Sequence, residues 1–574
     1  MIEDLPALLV VLPILAATLP LFFGLRYDRV GWTIATATTI ALFALSVWLT
    51  VAVFGTNEAV IHELGGFPRP VGIELVADPL SAPFVLLVTG ISAGVLAYTR
   101  KGGPRGNSFY SAYLLLVGGL SGLALTGDVF NMFVFLEIVG LTTYALIAYG
   151  KSGESAIAAL KYLIIGTVGA SLYLVGVGFL FVATGTLNMI DLAPAIAEVG
   201  YTDPLIQVAF AFIFIGFAIK IALFPLHTWQ PDAYQYAPDG VTPMISALVS
   251  TVSAYALFRL TYSVFTVDFL VATPYATEII VTFGSVSVLA GSVLAVMQPE
   301  VKRMLAYSSI SQFGLVVLAY GLLNDTALIG AIIQLLGHAI MKGGLFLAVG
   351  MIAAGIGART VEEYSGLAKR MPFAAGALAV LGLALVGVPP SVGFVGKWFI
   401  AVGAVEAGAW PVAVVIFLST MLTLAYIARL LEAMYFSPAT GMRRSVPETV
   451  AADGGERSGA SRTPEDGRSE SSGSEPSDAR RTSKDEQGES FGSEQSDGLR
   501  STSEETSDGG ERERSERDPA PTEPRDPEAV SPDVVSAGML GVTILTALLA
   551  VALGFSGGVF DSLLEPFIEE VLNG

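Results

Sequence analysis

Residues 213–225 read Ile213-Phe-Ile-Gly-Phe-Ala-Ile-Lys220-Ile-Ala-Leu-Phe-Pro225. Apolar side chains fill every face of the helix this segment would form, which is the pattern of a helix in lipid and not the one-sided stripe of a water-soluble helix. Lys220 stands inside that run, where an ammonium at the bilayer centre costs about 2.5–3.5 kcal/mol on insertion scales. Pro225, five residues on, removes a backbone donor and predicts that the helix is interrupted beside its charge.

Working outward, similar runs recur along all 574 residues, of which 53% are hydrophobic and 14% charged. Leu5 to Leu25, Trp32 to Phe54 and Phe373 to Leu385 continuing past Pro390 reach the roughly 20 residues needed to cross about 30 Å of hydrocarbon. The first run has no basic leader or small-residue cleavage site and is expected to be retained. Run length and breakers place spans at approximately 5–25, 31–54, 78–99, 109–126, 129–149, 157–183, 204–225, 241–264, 275–297, 303–323, 325–356, 373–400, 410–436 and 534–558. The fold class is therefore an all-α polytopic membrane protein of about fourteen transmembrane helices.

The loops between these spans alternate in basic content. Arg26, Arg29, Arg100, Lys101, Arg105, Lys151, Lys161, Lys302, Arg303, Arg359, Lys369 and Arg370 fall on one side, and Arg69 stands nearly alone on the other. The positive-inside rule then puts both termini outside the plasma membrane. Residues 437–533 hold 24 acidic and 13 basic residues and almost no branched apolar or aromatic ones, so the sequence predicts an acidic, disordered cytoplasmic loop. It serves as a solvated spacer or as a partner-binding segment.

Cysteine is absent, which excludes thiolate metal sites, iron–sulfur ligation, covalent haem attachment and disulfides. Gly393-Phe-Val-Gly396-Lys397-Trp398 imitates the end of a Walker motif but lies within an apolar helix pattern with no strand before it. No cofactor and no direct ATP coupling are expected, and any redox chemistry belongs to a partner.

A small set of ionisable residues remains inside the spans. Glu137 lies amid Phe133, Val134, Phe135, Leu136, Ile138 and Val139, and Lys342 and Lys397 sit in later spans. Pro389-Pro390 precedes Lys397 as Pro225 follows Lys220, so a broken helix beside an embedded lysine occurs twice and suggests an internal repeat. Gln334, His338 and Lys342 recur at every fourth residue and share one helix face, either as stations for protons or as cement between helices. Lysines near span ends, Lys161 foremost, have snorkelling to the headgroups as the alternative to a transport role.

Five stretches carry a family resemblance: Phe133-Val-Phe-Leu-Glu137, Lys220-Ile-Ala-Leu-Phe-Pro225-Leu-His227-Thr-Trp229-Gln-Pro231-Asp232-Ala233, Lys302-Arg303-Met-Leu-Ala-Tyr307-Ser308-Ser309, His338-Ala-Ile-Met-Lys342 and Gly393-Phe394-Val-Gly396-Lys397. Over about Asp78 to Tyr435 the chain resembles the proton-conducting antiporter-like subunits of Mrp-type cation/proton antiporters, respiratory complex I and membrane-bound hydrogenases, and most of all the D subunit of the Mrp antiporters. The resemblance implies two inverted five-helix repeats and the division 1–108 (first three helices), 109–264 (first repeat), 265–436 (second repeat), 437–533 (acidic loop) and 534–574 (last helix). It implies that Glu137 and Lys220 form the charge pair of a first half-channel, with Lys342 and Lys397 carrying protons through a second and His338 and Gln334 beside them. His227 and Asp232 are placed near the cytoplasmic mouth, with helix capping or loop anchoring as the alternative, and Lys161 is accessory.

One position departs from the family pattern: Thr251 stands where a lysine or histidine usually links the halves. Threonine orders water but holds no positive charge, and Ser250 and Ser253 are the nearest candidates to help through a water chain. The implied function is a non-enzymatic subunit exchanging monovalent cation, sodium foremost, for protons. The alternative is a proton-pumping membrane subunit of a redox complex, and an inactive scaffold is the third reading. The partners implied are other subunits of a membrane hetero-oligomer, protons, monovalent cations and the bilayer, with no nucleic acid.

Overall fold

The computed structural model describes residues 2–27, 30–56, 58–104, 106–438 and 535–573. The acidic loop expected at 437–533 lies outside the described residues apart from its first two.

In hydrocarbon every backbone N–H and C=O must find a partner within the chain, so the apolar runs close into helices. Among the described residues twelve helices are long and apolar enough to cross a membrane: Leu5–Gly24, Gly31–Thr56, Ser81–Lys101, Asn107–Leu125, Val129–Ala148, Gly153–Thr184, Pro204–Ile221, Thr242–Ala272, Ala276–Val296, Asp325–Ile356, Trp410–Tyr435 and Ala537–Leu572. The Val301–Tyr320 helix and the interrupted pair Pro372–Val386 and Val392–Glu406 accompany them. The chain is thus an all-α polytopic membrane protein with broken helices.

Polar caps mark where helices begin. Asp128, Ser152, Asp203, Asn324 and Ser391 each accept a backbone N–H from the first turn of the helix they precede, satisfying donors that have no intrahelical partner. Glycines set the closest helix approaches. A Cβ at Gly216 would come within 2.7 Å of Gly169 O, and one at Gly291 within 2.6 Å of Ser311 N. Small residues are what let membrane helices meet backbone to backbone, where no hydrophobic force drives them together.

The sequence reading missed three features. Val60–Glu63 and Glu74–Ala77 pair antiparallel, Val60 opposite Ala77. The Thr242–Ala272 helix runs beyond the expected residue 264, and it contains two wider π stretches, Ile245–Val249 and Leu260–Phe265. Beyond the expected last span the chain continues as the helix Gly557–Asn573, whose Asp561, Glu565, Glu569 and Glu570 set it apart from a lipid-spanning run.

Both predicted interruptions are present. The Pro204–Ile221 helix stops at Ala222, which adopts a left-handed φ of 63°, and the chain becomes helical again only at Gln230–Tyr236. The second break separates Pro372–Val386 from Val392–Glu406, with Gly387 left-handed at φ 93°. A non-glycine residue in that region carries a steric cost, so the surrounding contacts must hold Ala222 there. One such contact is visible: Trp229 Nε1 donates to Ile219 O at 2.9 Å, closing the end of the broken helix from the far side of the gap.

Candidate functional site

Because Lys220 is the next-to-last residue of its helix, its side chain meets the break directly. It is 4% exposed, so it does not snorkel to a surface, and its Nζ has no hydrogen-bond partner among the described residues. The neighbouring wall is the Glu137 helix, where a Cβ at Gly140 would lie 3.4 Å from Lys220 Nζ and 3.0 Å from Tyr144 Oη. Glu137 Oε1 is likewise buried without a partner among the described residues. The two charges face the same space, yet no Glu137–Lys220 contact falls within 4 Å among the ion pairs of the described residues. The expected charge pair is therefore a proximity and not a closed salt bridge. An aromatic stack walls it: the Tyr144 ring meets Tyr162 edge-on at 4.6 Å, and Tyr162 lies flat on Trp229 at 3.8 Å.

His227 lies in the gap of the broken helix, 7% exposed, stacked on Phe224 at 5.1 Å and 6.0 Å from the Tyr307 ring, with Nδ1 unpartnered. Asp232, in the short helix beyond, is an anchor. Its two oxygens take Lys161 Nζ at 2.6 Å and an Arg303 nitrogen at 2.7 Å, so one carboxylate ties together three segments of the bundle. Burial works to raise the Asp232 carboxyl, and the hydrogen bonds and charges of Lys161 and Arg303 together outweigh it and hold it below the usual carboxylate range. Lys161 is thus ion-paired. A parallel knot forms nearby, where Asp239 receives Lys302 at 2.9 Å and Arg359 at 3.6 Å.

Thr251 is completely buried and its Oγ1 has no partner among the described residues. The residues around this level form a neutral cluster that the sequence reading did not find beyond Ser250. Gln230 Nε2 donates to Tyr234 Oη at 3.0 Å and to Ser250 Oγ at 3.3 Å, and the two hydroxyls lie 3.4 Å apart. Ser253, the other candidate, donates to Val249 O at 2.8 Å within its own helix instead. Tyr234 reaches the second half as well, its ring meeting Phe346 edge-on at 5.8 Å. The only sequence signal was position: Gln230 and Tyr234 are four apart on the short helix after the break. In the structure a π stretch ends immediately before Ser250. Such π turns gather at functional sites.

In the second half the predicted stripe is buried along its length, with Gln334, His338 and Lys342 at most 1% exposed. Gln334 Nε2 donates to Gln312 Oε1 at 2.7 Å, and both His338 ring nitrogens are unpartnered beside the Phe313 ring at 4.6 Å. Lys342 Nζ donates to Leu305 O at 2.7 Å and to Ser308 Oγ. Gln312 was missed, although Ser308 and Gln312 repeat at four-residue spacing on the helix that faces the stripe. Lys397 spans the second break: its Nζ donates to Leu385 O at 2.8 Å and Val386 O at 2.9 Å, capping the last carbonyls of the helix across the gap. Among the described residues no group of three or more His, Asp and Glu side chains has the arrangement of a metal site.

Three comparisons bear on this geometry. Residues 126–423 match the family model for the NADH:quinone oxidoreductase/Mrp antiporter transmembrane region. The chain is 40% identical over 457 residues to the N subunit of the NADH-quinone oxidoreductase of Desulforudis audaxviator, covering 78% of this chain and 90% of that protein. It is 32% identical over 426 residues to the D subunit of the Na(+)/H(+) antiporter of Bacillus subtilis, covering 73% and 85%. Among solved structures, the Mrp complex from Dietzia sp. contains a chain that superposes with a TM-score of 0.76 at 25% identity, over 100% of this chain and 99% of that one.

Proposed function

This chain belongs to the NADH:quinone oxidoreductase/Mrp antiporter transmembrane family, and on that premise we propose that it is the proton-conducting subunit of a multisubunit monovalent cation/proton antiporter. Sodium is the proposed cation. The observation that carries this reading is the pair of charges at the first break. Lys220 is a buried amine and Glu137 a partly buried carboxylate, each with a buried unpartnered atom, close enough to sense each other without being locked together. A carboxylate near a lysine favours its charged form, and moving the two apart weakens that preference. A pair that is near but open can load and release a proton as it closes and opens.

In this scheme His227 feeds the pair from the cytoplasmic side, and Gln230, Tyr234, Ser250 and Thr251 bridge the two halves through hydroxyl and amide groups. Gln334, His338, Lys342 and Lys397 carry protons through the second half. The repeats are taken as 109–264 and 265–436, with both termini outside the plasma membrane and the 437–533 loop inside. Protease protection of that loop in intact cells tests the topology, and cleavage from outside would overturn it.

A second reading is favoured by the 40% identity to a protein named as part of a quinone-reducing complex: a membrane component that pumps protons when partner subunits carry out redox chemistry. Cation-dependent proton flux in inverted vesicles bearing the whole complex decides between them. Flux without any electron donor supports the antiporter, and flux that appears only when a donor is supplied supports the second reading.

A further inference from the structure

On the face of the bundle that carries the two strands, a cavity of about 420 Å³ is bounded by Val76, Asp78 and Thr126 on one side and by Leu563, Phe567 and Glu570 of the C-terminal helix on the other. Ser263 and Arg259 complete its lining. Arg259 donates to Asp78 Oδ2 at 2.6 Å, and both side chains are nearly buried, 12% and 10% exposed. Asp78 Oδ1 is already engaged by the backbone N–H groups of Leu80 and Ser81, so the carboxylate is fixed and the arginine is the movable partner.

What lies behind the ion pair gives it meaning. Arg259 also donates to Tyr255 Oη at 3.2 Å, one helical turn back, and Tyr255 Oη donates to Ala124 O at 2.8 Å. One turn further back is Thr251. Residues 251, 255 and 259 recur at four-residue spacing in the Ser250–Arg259 helix and so share one face, over a rise of about 12 Å. That face thus runs from the buried, unpartnered Thr251 hydroxyl to Arg259 in the lining of the cavity. Directly after Arg259 the helix widens into the Leu260–Phe265 π stretch, and Thr266 beyond it takes a left-handed φ of 68°. The helix register is already disturbed at the point where the arginine would have to move.

We propose that the Asp78–Arg259 ion pair is an outer gate on the first half of the protein, closing a proton port between this cavity and the Thr251–Tyr255 file. The proposal rests on the topology proposed for the chain, which places this face outside. With the pair closed, the guanidinium covers the end of the file. With the pair parted, the file meets the cavity. Other charges on this face include Glu570 on the C-terminal helix, His62 and Glu63 on the first strand, Asp128 just beyond Thr126, and the Arg69 cluster, where Arg69 lies 3.1 Å from Glu74 and 3.7 Å from Asp191. Arg69 is thus already matched by two carboxylates of its own.

The absence of cysteine makes the test clean, because an introduced thiol is the chain's only one. The complete complex in intact cells is treated with a membrane-impermeant sulfonated methanethiosulfonate, and the label is read by mass. Ser263→Cys, on the cavity wall, is expected to label from outside, and Thr251→Cys is expected to resist. Adding Arg259→Ala should speed Thr251→Cys labelling at least tenfold. Should that variant fail to assemble, Asp78→Asn with Arg259→Gln removes both charges together and is expected to give the same rise. Thr251→Cys labelling that is equal with and without the ion pair overturns the gate, and Ser263→Cys labelling only from the opposite membrane face overturns the topology beneath it. Absence of cation-dependent flux in the parent complex, with the labelling contrast intact, would count against the proposed antiport and not against the gate.

Discussion

The two broken helices hold their lysines in opposite ways. At the first break Lys220 ends in space shared with Glu137 and Tyr144, and among the described residues no atom accepts its hydrogens. At the second, Lys397 is bound by two backbone carbonyls, and Lys342 nearby is bound by Leu305 O and Ser308. A hydrogen bond to a charged group contributes about 1.5–3 kcal/mol, whereas a buried polar group left unmet costs about 1–3 kcal/mol. The second-half lysines therefore help hold the fold together, and Lys220 is maintained at the expense of stability. That asymmetry identifies the first break as the place where the electrostatics are free to change.

The largest expected effect follows from that freedom. Glu137→Gln keeps the volume and removes the charge, and Lys220→Ala removes the amine. Each should lower cation-dependent proton flux of the assembled complex at least tenfold, and the double variant should be no worse than either single one. Normal flux in Glu137→Gln would end the idea of a working pair. Failure of the complex to assemble would make Glu137 a structural group that holds helices together.

Stability should separate the halves next. Lys397→Met leaves the Leu385 and Val386 carbonyls unmet and should destabilise the complex by about 2–3 kcal/mol. Lys220→Met removes an unmet polar group and should be neutral or stabilising. Thermal unfolding of the purified complex in one detergent measures both. Equal losses in the two variants would mean that Lys220 has partners of comparable worth, and the contrast between the two breaks would fail.

Between the halves the expected effect is smaller. Tyr234→Phe keeps the ring packed on Phe346 and deletes the hydroxyl that meets Gln230 and Ser250. Flux is expected to fall several-fold, with about 1 kcal/mol lost in stability for the hydrogen bonds. Unchanged flux at unchanged assembly would place the link between halves away from this cluster.

The sequence revealed these groups in proportion to what they cost. Apolar runs long enough for a bilayer announce their spans by length alone. A lysine or glutamate inside one is conspicuous, so Glu137, Lys220, Lys342 and Lys397 and both proline breaks could be read directly. Tyr234, Gln230 and Gln312 carry no charge, and in a helix sequence they look like ordinary packing residues. Asp78 opens its expected span, Arg259 lies within five residues of the end expected at 264, and only the fold brings them together. The π stretches leave no compositional mark, and the Thr242–Ala272 helix that contains them ends beyond its expected place. Lys161 shows the limit from the other side. Its sequence position suited snorkelling equally well, and its partner Asp232 belongs to a short helix beyond the break, which no spacing rule connects to it.

The smallest effect belongs to that anchor, and its pH dependence gives it a signature. Asp232 is held below its ordinary value of 3.8 by Lys161 and Arg303. A carboxyl depressed on folding contributes stability that is fully present above its unfolded value and is lost as pH falls through the folded one. Asp232→Asn should therefore cost about 1 kcal/mol, reduced by the partial exposure of all three side chains, and the cost should stay constant from pH 8 to about pH 5. Below about pH 3.8 the difference should begin to fade, and as the pH falls through the depressed folded value the parent carboxyl takes up its proton and the two proteins should converge in thermal stability. Lys161→Met should show a smaller penalty over the same neutral range, because Arg303 still holds the carboxylate. A penalty that grew on acidification would contradict this sign, and would mean that burial, and not the two cations, dominates the Asp232 carboxyl.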